Sequence, residues 1–182
     1  MNRYLEVQAQ GLLEWLGSPP DAPAQKVYSG LLHMQHSATL APARLAHQFG
    51  LELPEFSRAL FELNRRQSLQ VTEHACDHTS DFHYDFALLC EDLRSLAAGT
   101  PQLMLASADG LCLSRQGLSD EDCLNEAACC HQGPGAGFAL VAPLHLGATV
   151  LRLCSRASID AASPALLRLV RRLISLPLPM CD

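Results

Sequence analysis

His74, Cys76 and His78 alternate along the chain, so on an extended segment their side chains share one face, with His83 close behind. Imidazole and thiolate in such proximity can ligate zinc, and Cys129, Cys130 and His131 form a second group of this kind. A structural zinc site draws on two close ligand pairs, however, and no Cys-x-x-Cys occurs anywhere. Solvated histidines in a connecting segment are the expectation, and no metal. A cysteine nucleophile needs a base and a group that orients the base. Eight Cys and eight His make chance pairings numerous, and Cys112 and Cys154 lie in apolar runs suited to inert packing. Gly133-Pro134-Gly135-Ala136-Gly137 precedes a strand-like run, whereas phosphate-cradling loops open a helix, so it reads as a plain loop. Asp120, Glu121, Asp122 and Glu126 follow Ser119, where carboxylates complement a helix dipole; a capped, solvated helix end is expected there in place of a cation site. No Ser/His/Asp order or nucleotide fingerprint stands out. The residues predict no catalysis and no cofactor.

The elements around these residues follow from periodicity. Tyr4, Leu5, Leu12, Leu13, Trp15 and Leu16 suggest an accessory helix over 2–16, with a Pro-rich linker to residue 20. Helices are predicted from Pro23 to near Ser37, from Pro42 to Phe49 with Thr39 as cap and Gly50 as stop, and from Pro54 to Gln67. Ser68–Glu73 alternates as a strand. The polar stretch 74–81 reads as a hinge. A helix over Phe82–Leu96 places Phe86, Leu89, Cys90, Leu93 and Leu96 on one face. Gln102–Ser107 and Leu111–Arg115 flank Asp109-Gly110, a strong hairpin signal. A helix from Ser119 to Cys130 follows, then strands Phe138–Leu144 and Thr149–Cys154 around a turn at Leu146-Gly147. The last helix opens at Ser163-Pro164; Leu166, Leu167, Leu169, Val170, Leu173 and Ile174 form its apolar face, and Arg168, Arg171 and Arg172 its polar one.

The chain has 182 residues, 48% hydrophobic and 18% charged, which excludes collagen-like and disordered classes. A net charge of −6, with Lys26 the only lysine, disfavours a protein that works by neutralising many phosphates. The start lacks a cationic segment followed by a long apolar one, so a cytoplasmic location and reduced cysteines are expected, with no membrane contact.

Residues 24–73 resemble a winged-helix unit: three helices, then a strand fit for one arm of a wing, with Ala46, Gly50, Leu51, Phe56 and Ala59 at the spacing of a helix-turn-helix. Residues 82–178 run helix, hairpin, short helix, hairpin, long helix. This order resembles the Roadblock/LC7 family, and Leu103–Ser114 looks like that family's first hairpin. The central helix is shorter than the family's, and two strands follow it where three are usual. A GAF-like or profilin-like sensory domain is the nearest competing resemblance. The expected class is α+β, with an accessory helix and linker over 1–20, a winged-helix-like domain over 21–74 and a Roadblock/LC7-like domain over 82–178.

The Roadblock/LC7 resemblance implies a non-catalytic regulatory or adaptor protein that docks to a partner such as a small Ras-like GTPase or a larger assembly. It also implies a homodimer, for which Cys123, Leu124 and Ala127, with the exposed edge of the 102–115 hairpin, are the candidate interface. The alternative is a DNA-binding transcriptional regulator with a GAF-like sensory C-terminal domain, contacting nucleic acid through Arg58, Arg65 and Arg66. Residues 25–73 sum to only +1, so nucleic acid is not expected to be the main partner.

Overall fold

In the computed structural model, which describes residues 2–17, 21–96, 102–129, 138–146 and 149–175, two antiparallel sheets organise the chain. The element order is β1 (Tyr4–Val7), α1 (Leu12–Gly17), α2 (Pro23–Leu32), β2 (Ala38–Thr39), α3 (Pro42–Gln48), α4 (Leu53–Arg65), β3 (Leu69–Thr72), α5 (Phe86–Leu96), β4 (Leu103–Ser107), β5 (Cys112–Gln116), α6 (Asp120–Cys129), β6 (Leu140–Leu146), β7 (Thr149–Ser155) and α7 (Pro164–Ile174). The first sheet has strand order β2-β1-β3 and the second β5-β4-β7-β6, with no strand in common. The protein is α+β.

The helix predicted over 2–16 is divided. Leu5 and Val7 are buried while Tyr4 and Glu6 are half-exposed, a period of two, and β1 is the central strand, pairing with β2 at Tyr4↔Thr39 and with β3 from Tyr4↔Thr72 to Val7↔Leu69. Backbone groups satisfied on both sides outweigh any helical preference of so short a stretch. Gly11, at φ +79°, then turns the chain. A side chain there would come within 2.6 Å of the Ser68 hydroxyl, which accepts a hydrogen bond from Trp15 Nε1 at 2.9 Å. Only α1 remains helical. Because Ala38 and Thr39 join the sheet, α2 ends at Leu32 and not near Ser37, and the residue before α3 is Ala41, not Thr39. Gly50 stops α3 at φ +64°, as predicted. Pro54 lies in the first turn of α4, and the Glu52 N–H donates to the Glu55 carboxylate at 3.3 Å.

Strand β4 is buried on both faces. Leu103 and Leu105 join a large apolar cluster with Leu89, Leu93 and Leu96 of α5 and Leu166, Leu169 and Leu173 of α7. Met104 and Ala106 join a smaller one with Leu118, Cys123, Phe138 and Cys154. Helices therefore cover both sides of the second sheet, α5 and α7 on one and α6 on the other. The Asp-Gly hairpin closes with Gly110 at φ +82°. Ser119 caps α6, accepting from Asp122 N–H at 3.1 Å and donating to the Asp122 carboxylate at 2.6 Å. Ser163 caps α7 through Ala165 N–H at 3.3 Å. The loop read at 133–137 and the turn residue Gly147 lie outside the described residues.

The large cluster also takes residues from the first sheet and its helices, from Leu5 to Leu63, and α1 packs against β6. Leu12 and Leu16 of α1 and Leu144 of β6 are fully buried; each such leucine contributes about 1.5–3 kcal/mol. The stretch 74–81, expected as a hinge, is tied down along its length. The Cys76 N–H donates to Ser37 Oγ at 2.8 Å and the His78 N–H to Gln35 O at 2.7 Å, while His78 Nε2 meets Glu6 Oε1 at 2.8 Å. On its other side, Asp81 receives Arg171 Nη1 at 2.9 Å, and the Ser80 and His83 carbonyls receive Arg172 Nη1 at 3.3 and 2.9 Å. Arg171 and Arg172, expected on the polar face of the last helix, are both buried. Long aliphatic stems let them cross apolar surface and deliver their forks to Asp81, Asp92 and backbone carbonyls.

Asp92 accepts from Arg168 Nε at 2.9 Å and Arg172 Nε at 2.8 Å. Removing one partner of a buried pair strands the other charge, so Asp92→Ala is expected to lower unfolding stability by about 3–5 kcal/mol. Replacing the exposed Phe61 by Ser should change it by less than about 0.5 kcal/mol. Urea titration of both variants checks the contrast.

Candidate functional site

Leu105 pairs with Ser114, but Ala106 pairs with Cys112. The extra residue, Leu113, sits in a β-bulge on the outermost strand of the sheet, and its side chain is left 43% exposed. The bulge sends neighbouring side chains to opposite faces. The Ser114 hydroxyl lies 3.5 Å from the Cys90 thiol of α5, whereas Cys112 approaches Cys123 of α6. The result is a groove of about 580 Å3 that straddles the sheet edge, with Cys112–Arg115 as floor, Phe86 and Cys90 on one wall, and Asp120, Cys123 and Leu124 on the other. Phe86 is 55% and Leu124 71% exposed. A second hollow, about 530 Å3 between β2 and α3, is lined chiefly by polar side chains such as Gln35, His36, Arg44 and Gln48 and exposes no large apolar side chain. The groove between α5, β5 and α6 is the stronger candidate, since exposed apolar groups around a concavity mark contact sites.

The charged side chains that line the groove, Arg115 and Asp120, are of opposite sign. Asp120 pairs with Arg115 at 2.5 Å and Asp122 with Arg156 at 3.2 Å. The Ser119 hydroxyl and then Arg156 hold the Asp122 carboxyl below the usual carboxylate range. Burial, followed by the hydrogen bond and charge of Cys123, pushes the Cys112 thiol up to about 11. A thiol so raised is a poor nucleophile at neutral pH.

Of the interface residues expected from sequence, Cys123 and Leu124 lie on the same wall of this groove, Cys123 buried and Leu124 exposed; the side chain of Ala127 lies outside the described residues. Two large apolar side chains exposed at the groove were not singled out, although the edge of the 102–115 hairpin was part of the expected surface. Phe86, assigned to the core face of its helix, opens α5 and points to solvent, and Leu113 is exposed by a bulge that strict alternation does not reveal. The nucleic-acid candidates part company on α4: Arg58 and Arg65 are exposed, but Arg66 is ion-paired to Glu14 and to Glu62 and lies 5.0 Å over the Trp15 ring. Glu52, Glu55, Phe61 and Asn64 share the exposed surface of that helix. His74 and His83 are exposed, while Cys76 and His78 are half-buried. Burial and then the Glu6 carboxylate raise the Cys76 thiol. Among the described residues no group of three or more His, Cys, Asp or Glu is placed to hold a metal ion, and no helix is long and apolar enough to cross a membrane. Cys130 and His131, and the side chain of Cys129, lie outside the described residues.

The raised Cys112 thiol has a measurable consequence. Alkylation by iodoacetamide, followed at Cys112 by peptide mass spectrometry, should be slow at neutral pH and accelerate about tenfold per pH unit until near pH 11. A rate that levels off near pH 8.5 would contradict it. No protein-family model matches the chain, and neither a curated protein nor a solved structure matches it.

Proposed function

We propose that the chain is a non-catalytic adaptor that docks a protein partner in the groove between α5, β5 and α6. The observation that carries this reading is the set of large apolar side chains, Phe86, Leu113 and Leu124, standing exposed around one concavity. The reading agrees with the resemblance of residues 82–178 to the Roadblock/LC7 family, which implies a small Ras-like GTPase or a larger assembly as partner. The element order α5-β4-β5-α6-β6-β7-α7 supports that resemblance, and α2-β2-α3-α4-β3 supports a winged-helix-like scaffold beside it. Self-association through α6 competes for the same surface.

DNA binding ranks behind. Arg66 is engaged within the protein, and glutamates interrupt the exposed face of α4. A ligand sensor would enclose its ligand, whereas this groove has exposed walls.

Affinity capture from native extract, comparing wild type with Leu124→Arg, tests the adaptor reading. A specific protein recovered by wild type and lost in the variant supports it. Recovery of no protein by either form, with a small molecule retained at one per chain, refutes it. Salt-sensitive, nanomolar retardation of duplex DNA, abolished by Arg58→Ala with Arg65→Ala, would establish the regulator in its place.

A further inference from the structure

We infer that the groove between α5, β5 and α6 receives a short basic segment of a partner protein, with one large apolar side chain between Phe86 and Leu124 and Lys or Arg side chains over Glu121 and Glu91. The inference rests on the adaptor reading and adds the chemistry of what docks.

Three features select this occupant. The first is the bulge. An edge strand ordinarily offers its backbone to any incoming strand. Here the ladder is broken between Leu105 and Ala106, so β5 presents regular register only over Ser114–Gln116. Main-chain pairing is short, and recognition passes to side chains. The second is shape. The walls come from helices on opposite faces of the sheet and stand apart across the strand edge, with Phe86 from α5 and Leu124 from α6. A narrow segment enters such a cleft, and its large apolar side chain covers both walls and Leu113.

The third is charge. Residues 74–182 carry 12 acidic residues against 7 arginines, and every arginine but Arg94, exposed on α5, is engaged with groups of this chain. Arg168, Arg171 and Arg172 hold Asp81 and Asp92, Arg156 holds Asp122, Arg115 holds Asp120, and Arg152 donates to the Ala108 carbonyl at 2.9 Å. Glu91, next to Cys90, and Glu121, one helical turn before Leu124, are exposed and make no ion pair with a described residue. The rim therefore attracts cations. It also disfavours a second copy: a two-fold contact through α6 sets Asp120 and Glu121 against their own images.

Selection of a displayed random-peptide library on the full chain tests the inference, with the enriched peptides then synthesised and their affinity read by fluorescence anisotropy. The expected peptides pair a large apolar residue with neighbouring Lys or Arg. Their affinity should fall at least about tenfold in Leu124→Asp and in Phe86→Asp. It should also fall between about 0.1 and about 1 M salt, as the screening length drops from about 10 to about 3 Å, and this salt dependence should shrink in Glu121→Lys. All three positions are exposed, and far-UV circular dichroism verifies that the variants fold. No enrichment, enriched peptides that are acidic, or binding unchanged by Leu124→Asp overturns the inference. So does sedimentation velocity showing a wild-type dimer that Leu124→Asp converts to monomer, since a second copy then fills the groove. If a protein partner is captured in a Leu124-dependent way while no peptide is enriched, the adaptor reading stands and the basic segment falls.

Discussion

One buried carboxylate governs where the last helix lies. Arg168 and Arg172 sit one turn apart on α7, and both direct their Nε atoms at Asp92 of α5. A carboxylate gripped by two donors at that spacing fixes the rotation of one helix against the other. Once α7 is so rotated, Leu166, Leu169, Val170 and Leu173 face the core, and Arg171 is carried to Asp81. Two guanidiniums on one carboxylate leave positive charge that low-dielectric surroundings would penalise; the Ser80 and His83 carbonyls offset it.

The groove inherits its geometry from this arrangement. With Leu89, Leu93 and Leu96 committed inward, α5 brings Phe86 and Cys90 to the edge of β5. On the other face, Cys123 packs beneath Met104 and Ala106, which leaves Leu124 outward. The stretch 74–81 transmits the same constraint to the first sheet, because Asp81 holds Arg171 while His78, three residues earlier, holds Glu6 of β1. A change at Asp92 therefore reaches both sheets.

Much of this was readable from the residues. Strongly periodic elements with chemical punctuation, such as α4 with Pro54 and α7 with Ser163, lie where spacing puts them. So does the Asp109-Gly110 hairpin, because a turn requiring positive φ declares itself. The failures share a cause. Tyr4–Val7 was read as helix because what makes it a strand is distant partners, Thr39 and Leu69–Thr72. The burial of Arg171 and Arg172 on the polar face of α7 was not foreseen because their acidic partners lie about 80–90 positions away in sequence. Leu124 was expected at an interface from the likeness of its helix and is exposed beside the groove, but the exposure of Phe86 and Leu113 depends on a helix start and a bulge that no periodicity encodes.

The edges of the second sheet bear on how any partner is chosen. At one end, β6 carries Pro143, which has no N–H to offer, and α1 packs against the strand. At the other, the bulge around Leu113 breaks the regular ladder. Neither end gives an arbitrary chain a long, uniform row of backbone groups. Discrimination between binders then depends on the identity of individual residues in the incoming segment, so its evolution can be followed one substitution at a time. A sheet finished in this way also offers a poor template for its own growth, since an added strand finds few backbone groups in regular register at either edge.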